Sequence, residues 1–315
     1  MPINCLGIWL NDYGLYQIQS PREVLKKGQV KIFKETSMKG TTILVSVVIL
    51  LCAVGFTQAQ EGELHGSAGL TYLSKYIWRG FDYYADDHSA IQPSIDLDLY
   101  GTGFGVKLLF SRAISAPFEN AERISIALSY GNSLFDGENY ATNYTTSWVY
   151  YGFPDEPRSG NKTSAHAQAA DMQEYVIALS WPEICPAGIV PSYTAVSMWP
   201  SEGDSAARKN SGWAHIAGLG YDFTASGLVP EMPEQIFHLS AAMVYNDGMA
   251  PGVVINAASG TIDHDWSHAI FGISTDFDLG KDLTFTPALY YQSSWEDTVN
   301  TEDQAWVTLG LKYAF

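Results

Sequence analysis

The sequence predicts an all-β fold: a transmembrane antiparallel up-and-down β-barrel of twelve strands, with short periplasmic turns and longer extracellular loops. Three observations predict it. The chain closes on a two-residue alternation in which Ala305, Val307, Leu309, Leu311, Tyr313 and Phe315 share one face and Trp306, Thr308, Gly310, Lys312 and Ala314 the other. Eleven earlier segments repeat that period, which is the period of a strand. The connections between segments alternate short and long, as they do when the two ends of a barrel meet different compartments.

The front of the chain reads differently. Residues 1–37 are polar, patternless and rich in Lys, and Met38 stands where an initiator belongs. We expect 1–37 to lie upstream of the native start; the alternative is a long basic leader that is also removed. Residues 38–59 have the plan of a secretory signal peptide: Lys39 for a positive start, an apolar core over 43–56, and Thr57-Gln58-Ala59 as a small-residue cleavage box. That core is shorter than the ~20 residues a spanning helix needs. Residues 60–315 are then expected to form a single barrel domain.

Charge and cysteine use narrow the class. The whole chain carries a formal charge of −17. The first 59 residues hold six Lys and Arg against three Asp and Glu, which leaves 11 basic and 31 acidic residues beyond them. An acidic balance of that size argues against nucleic acid as a partner. Cys5 and Cys52 fall in the segment expected to be removed, so Cys185 stands alone and no intrachain disulfide closes the fold. No cofactor is expected.

The strands follow in order. In 64–78, Leu64, Ala68, Leu70, Tyr72, Tyr76 and Trp78 share one parity, and His65, Ser67, Thr71, Lys75 and Arg79 the other. In 90–100, Ile91, Ile95, Leu97 and Leu99 oppose Gln92, Ser94, Asp96 and Asp98. Further strands are expected at 104–110, 123–130, 140–151, 173–181, 189–199, 213–223, 235–245, 267–277, 283–292 and 305–315. Turns at 101–103, 132–139, 182–188, 224–234 and 278–282 are systematically shorter than loops at 80–89, 111–122, 152–172, 200–212, 246–266 and 293–303. Aromatics gather near strand ends, among them Tyr76, Trp78, Trp148, Trp213, Tyr245, Trp266, Trp295 and Tyr313, which suits an interfacial girdle.

The polar parity should face the lumen. Lys75, Arg79, Gln92, Asp96, Asp98, Lys107, Arg123 and Lys312 are the pore-lining candidates, and charges of both signs there would set a field across the lumen.

Two resemblances accompany this reading. The closing strand is similar to that of bacterial outer-membrane barrels, with the terminal Phe315 and with Tyr313 two positions before it. The resemblance implies that Leu309, Leu311, Tyr313 and Phe315 form an assembly signal read by the barrel-assembly machinery. Leu73-Ser74-Lys75-Tyr76-Ile77-Trp78-Arg79-Gly80, followed by Ser89-Ala90-Ile91-Gln92-Pro93, resembles the opening hairpin of the TorF-like porin family. It implies a porin in the cell outer membrane of a Gram-negative-type bacterium, with outer-membrane lipid around it, no catalytic residues and an undefined solute.

Other chemistry is weaker. Asp263-His264-Asp265-Trp266-Ser267-His268 is the best metal-like cluster, since His264 and His268 share a parity, but it meets no fixed ligand spacing. Ser267 and His268, as strand neighbours, are expected on opposite faces and so unable to pair, and no Gly-x-Ser-x-Gly elbow is present. We therefore expect no enzyme. Two readings remain open: a porin-like channel for passive diffusion of small hydrophilic solutes, and a structural or surface-interaction barrel without a conducting pore. The oligomeric state is left open.

Overall fold

The computed structural model describes residues 64–84, 88–114, 122–154, 171–201, 211–229, 232–249, 264–295, 299–300 and 302–315. The expectations for 1–37 and 38–59, and for most of loops 152–172 and 246–266, lie outside the described residues.

The alternating segments become strands. In chain order they are β1 (His65–Leu73), β2 (Ile77–Trp78), β3 (Phe81–Asp82), β4 (Ala90–Asp98), β5 (Phe104–Ala113), β6 (Arg123–Leu134), β7 (Thr142–Gly152) and β8 (Met172–Ser180). There follow β9 (Ile189–Pro200), β10 (Gly212–Val229), β11 (Met232–Asp247), β12 (His264–Thr275), β13 (Phe277–Asp278), β14 (Leu283–Ser294) and β15 (Gln304–Ala314). All but β2, β3 and β13 form one closed antiparallel cylinder of twelve strands. Neighbours in sequence pair with each other, β12 pairs with β14, and β15 pairs with β1. Closure matters physically because an unpaired strand edge in hydrocarbon would leave backbone groups without partners. The short β13 carries β12 onward along β14.

Period two sorts the side chains into a wall and a lumen. Along the seam, Ala68 faces Tyr313, Leu70 faces Leu311 and Tyr72 faces Leu309. Leu70, Tyr72, Leu309, Leu311 and Tyr313 are all exposed, as are Ile95, Leu108, Ile124, Leu219 and Phe271 elsewhere on the wall. An apolar wall around a closed cylinder is a surface that lipid, not water, solvates. The opposite parity is largely buried and mixes small, apolar and polar residues, including Ser67, Gln92, Arg123, Glu174 and Gln292.

The seam is locked at its end by Gly66 and Phe315. Each donates its N–H to the other's carbonyl, at 2.8 and 2.9 Å. A Cβ on Gly66 would lie 2.7 Å from Phe315 Cζ, so only glycine lets the ring lie across the strand here.

Two regions differ most from expectation. β10 and β11 pair from Ala214↔Asn246 as far as Val229↔Met232, so a ladder occupies most of the 224–234 stretch read as a turn. Thr224, Ala225 and Ser226 are small enough to extend the pairing opposite Ile236, Gln235 and Glu234. The first strand stops at Leu73, five residues short of Trp78, and the chain leaves the wall there. Among the described residues the helical element is a 3₁₀ turn, Pro186–Gly188, and no helix is long and apolar enough to cross a membrane.

Candidate functional site

Ser74 ends the ladder. Its N–H donates to the Val307 carbonyl at 2.9 Å, and its Oγ accepts the Val307 N–H at 2.9 Å, taking the place of the next strand pair. The chain then turns into the lumen and doubles back. Ile77 pairs with Asp82 and Trp78 with Phe81, and the Tyr83 N–H donates to the Tyr76 carbonyl at 2.9 Å. The two tip residues, Arg79 and Gly80, have φ of +54° and +82°. Positive φ at both positions is the geometry of the primed hairpin turns, whose twist matches that of the strands they join. Glycine adopts it freely, whereas for Arg79 it is a strained state that its surroundings must hold.

Those surroundings are specific. Arg79 meets Glu174 of β8 in a two-point ion pair, with Nε donating to Oε1 at 3.0 Å and Nη2 to Oε2 at 2.5 Å. Both side chains are sealed from solvent, at 1% and 0% exposed. The Tyr151 hydroxyl of β7 donates to the same Glu174 carboxylate at 2.8 Å. On the far side of the lumen, the Gly80 carbonyl accepts from Gln292 Nε2 of β14 at 2.8 Å and from Asn300 Nδ2 at 3.3 Å. A Cβ on Gly80 would lie 2.4 Å from His268 Cε1, so the tip is packed against β12 as well.

The hairpin also has an aromatic core. The Arg123 guanidinium of β6 lies 4.8–5.7 Å from the ring centroids of Trp78, Tyr76, Tyr151 and Tyr83. A cation over ring faces is attracted by their quadrupoles, and more strongly when water is excluded. Trp78 and Tyr151 meet edge-on at 5.1 Å, and Tyr83 meets Tyr84 edge-on at 4.8 Å. Tyr84 shares a hydrogen bond with Ser111 at 3.2 Å, and burial pushes its hydroxyl pKa up. Gln92 Nε2 donates to the same Ser111 at 3.1 Å. At the base, Lys75 Nζ donates to Gln304 Oε1 at 2.5 Å.

Tyr76 and Trp78 are therefore not girdle residues. Both are fully buried inside the barrel, because the strand they were assigned to ends before them. Trp213, Trp266, Trp295 and Tyr313 do stand on the outer wall, where Trp213, His215, Tyr245 and Trp266 make a run of ring contacts.

The half of the lumen nearer the termini is lined with charge. Lys107 pairs with Asp96 at 3.5 Å. Lys312 lies on the same inward parity and senses the charges of Asp96, Lys107 and Asp276. Around the wall, Asp222 holds His238 Nδ1 at 2.6 Å, His238 Nε2 is 3.8 Å from Asp276 Oδ2, and Thr286 donates to Asp276. Asp98 instead caps the adjoining turn, accepting the Gly101 N–H at 3.1 Å. The predicted lining residues thus fall into two groups. Asp96, Lys107 and Lys312 come together near the termini. Lys75, Arg79, Gln92 and Arg123 serve the hairpin.

The two histidines do not share a face. Their spacing predicts that they do, but β11 and β12 slip register between Val244 and Tyr245, so Ser267 bulges out of the ladder. His268 is buried, whereas His264 is 60% exposed and pairs with Asp247 at 2.6 Å. The same bulge overturns the expectation that Ser267 and His268 cannot meet, since Ser267 Oγ lies 2.8 Å from His268 Nδ1. Both are buried beneath the hairpin tip and the wall. Among the described residues no group of three His, Cys, Asp or Glu is placed to hold a metal ion.

Glu174 was missed in the sequence, although one signal for it was there. On the inward parity of β8 it is the lone acid among Met172, Val176, Ala178 and Ser180. An isolated carboxylate on a buried face requires a buried partner.

No protein-family model matches the chain, and no curated protein matches it. Solved structures similar to it include the KdgM porin, at 9% identity over 79% of this chain and 99% of that one, with a TM-score of 0.45. The NanC porin is similar at 9% identity over 80% and 99%, TM-score 0.42. An outer membrane channel from Pseudomonas putida F1 is similar at 9% identity over 81% and 96%, TM-score 0.43. The barrel assignment rests on the strand pairing itself.

Proposed function

We propose that this protein is a porin-like channel of a Gram-negative-type outer membrane, passing small hydrophilic solutes by passive diffusion. The observation that carries the reading is a closed cylinder with an apolar wall and a charged lumen near its termini, built from Asp96, Lys107, Lys312, Asp222, His238 and Asp276. Charges of both signs along the lumen offer polar partners to small hydrophilic solutes, as charged side chains do in other pores. The resemblance of 73–80 to the TorF-like porins supports the same reading. So does the closing strand, in which Leu309, Leu311, Tyr313 and Phe315 would act as the assembly address. Residues 38–59 would direct export.

Planar-bilayer recording on residues 60–315, refolded and checked by heat-modifiable gel mobility, tests this. We expect discrete current steps. Absence of steps from protein whose mobility shifts on boiling would sink the channel. A second reading, a barrel without a conducting pore, is favoured by the inner hairpin, which ties β8 to β14 across the lumen. Solute-swelling of liposomes separates the two.

A further inference from the structure

We propose that residues 74–84 are a plug held shut by the Arg79–Glu174 ion pair, and that losing this pair frees the hairpin and opens the barrel. The inference rests on the channel reading above.

Three features point to a movable part. First, the hairpin crosses the lumen. Its tip is bound to β8 through Arg79 and to β14 through Gly80, and these strands lie nearly opposite each other in a ring of twelve. Second, the hairpin is not part of the wall. β2 and β3 form their own two-stranded sheet, and all twelve barrel strands pair without them. An isolated two-stranded ribbon is marginal on its own, so side-chain contacts decide where this one sits. Third, the tip is strained. Arg79 is held at positive φ, a conformation that persists only while its partner over-determines it. Remove the Glu174 charge and a buried guanidinium loses its carboxylate, which favours a state in which the arginine reaches water. The wall would survive that change, since its ladder closes independently at β1 and β15.

Bilayer recording on four proteins tests the plug: the parent, Glu174→Gln, the exchanged pair Arg79→Glu with Glu174→Arg, and a barrel with 76–83 replaced by a short Gly-Ser link. Each is first shown to be folded by heat-modifiable mobility. The shortened barrel is expected to give larger steps than the parent. Glu174→Gln is expected to be open at least about tenfold more of the time, since each ~1.4 kcal/mol of lost closed-state preference is a factor of ten. The exchanged pair should return toward the parent. Equal steps from the parent and the shortened barrel overturn the plug and leave the channel standing. A folded shortened barrel that carries no current overturns the channel and the plug together. Glu174→Gln and the exchanged pair being equally open overturns the ion pair as the latch.

Discussion

Arg79 on the inner hairpin and Glu174 on β8 are joined at two points, Nε to Oε1 and Nη2 to Oε2, with neither side chain in contact with solvent. A pair in that setting is most informative when only half of it is removed. Truncating one partner leaves a buried charge without its counter-charge, which costs about 3–5 kcal/mol, whereas replacing both by apolar residues of similar volume is often neutral. Glu174→Ala should therefore destabilise the seated hairpin strongly while the wall stays paired. Arg79→Met with Glu174→Leu should restore much of the loss. Urea unfolding in micelles, followed by tryptophan fluorescence, reads both. A double variant as unstable as the single one would mean that packing, not charge, dominates at this site.

Arg123 offers a second test, in which charge is kept and shape is changed. Its guanidinium lies within 5.0 Å of the Tyr76, Trp78 and Tyr151 centroids. Lysine keeps the charge but loses the flat face that stacks on rings. Arg123→Lys should cost about 1–2 kcal/mol, in the range of a desolvated cation–π contact. It should also shift Trp78 emission to the red as water reaches the indole. Unchanged emission and stability would show that the cage is only steric.

At the seam, Gly66 and Phe315 exchange both backbone hydrogen bonds, and a side chain at 66 would strike the Phe315 ring. Gly66→Val should lower the fraction of protein that gains heat-modifiable mobility. In refolding into detergent micelles, where no assembly machinery acts, Phe315→Ala in the same chain should recover part of it by vacating the space. No recovery would place the obstruction at the Asp96 carbonyl, which lies 3.0 Å from the same Cβ position.

Asp303 ties the β14–β15 connection, accepting from the Tyr291 hydroxyl at 2.5 Å and from the Ser294 N–H at 2.9 Å. These donors, the tyrosine first, hold its carboxyl below the usual carboxylate range. A depressed folded-state pKa means the stabilisation is complete above the unfolded value of about 3.9 and is lost as pH falls through the folded one. The protection factor of the Ser294 amide, the intrinsic exchange rate at each pH divided by the observed one, should therefore be high at neutral pH and fall below about pH 4. Asp303→Asn should flatten that dependence. The same acid response in both proteins would remove Asp303 as its source.

The wall was legible in the sequence because its physics is local. Leu309, Leu311 and Tyr313 alternate with Gly310 and Lys312, and a strand in a closed sheet can satisfy that pattern only with one face out and one in. The hairpin was legible only in its residues. Tyr76 and Trp78 continue the outward parity of β1, so a period-two reading carries them onto the wall. In the fold, Ser74 takes the hydrogen bonds of Val307 and releases the chain inward. Likewise, His264 and His268 are four apart and share a face until Ser267 bulges. A single inserted residue inverts parity, and nothing local marks where one will fall.

By itself, the sequence determined the strand count, the phase of long and short connections, and the parity of nearly every wall residue, because alternation is a property of each strand alone. Only the tertiary structure decided that Arg79 finds Glu174, 95 positions away, and that Arg123 is enclosed by rings from two elements. Those pairings depend on which strands stand opposite across a closed lumen. That relation exists only once β15 has met β1.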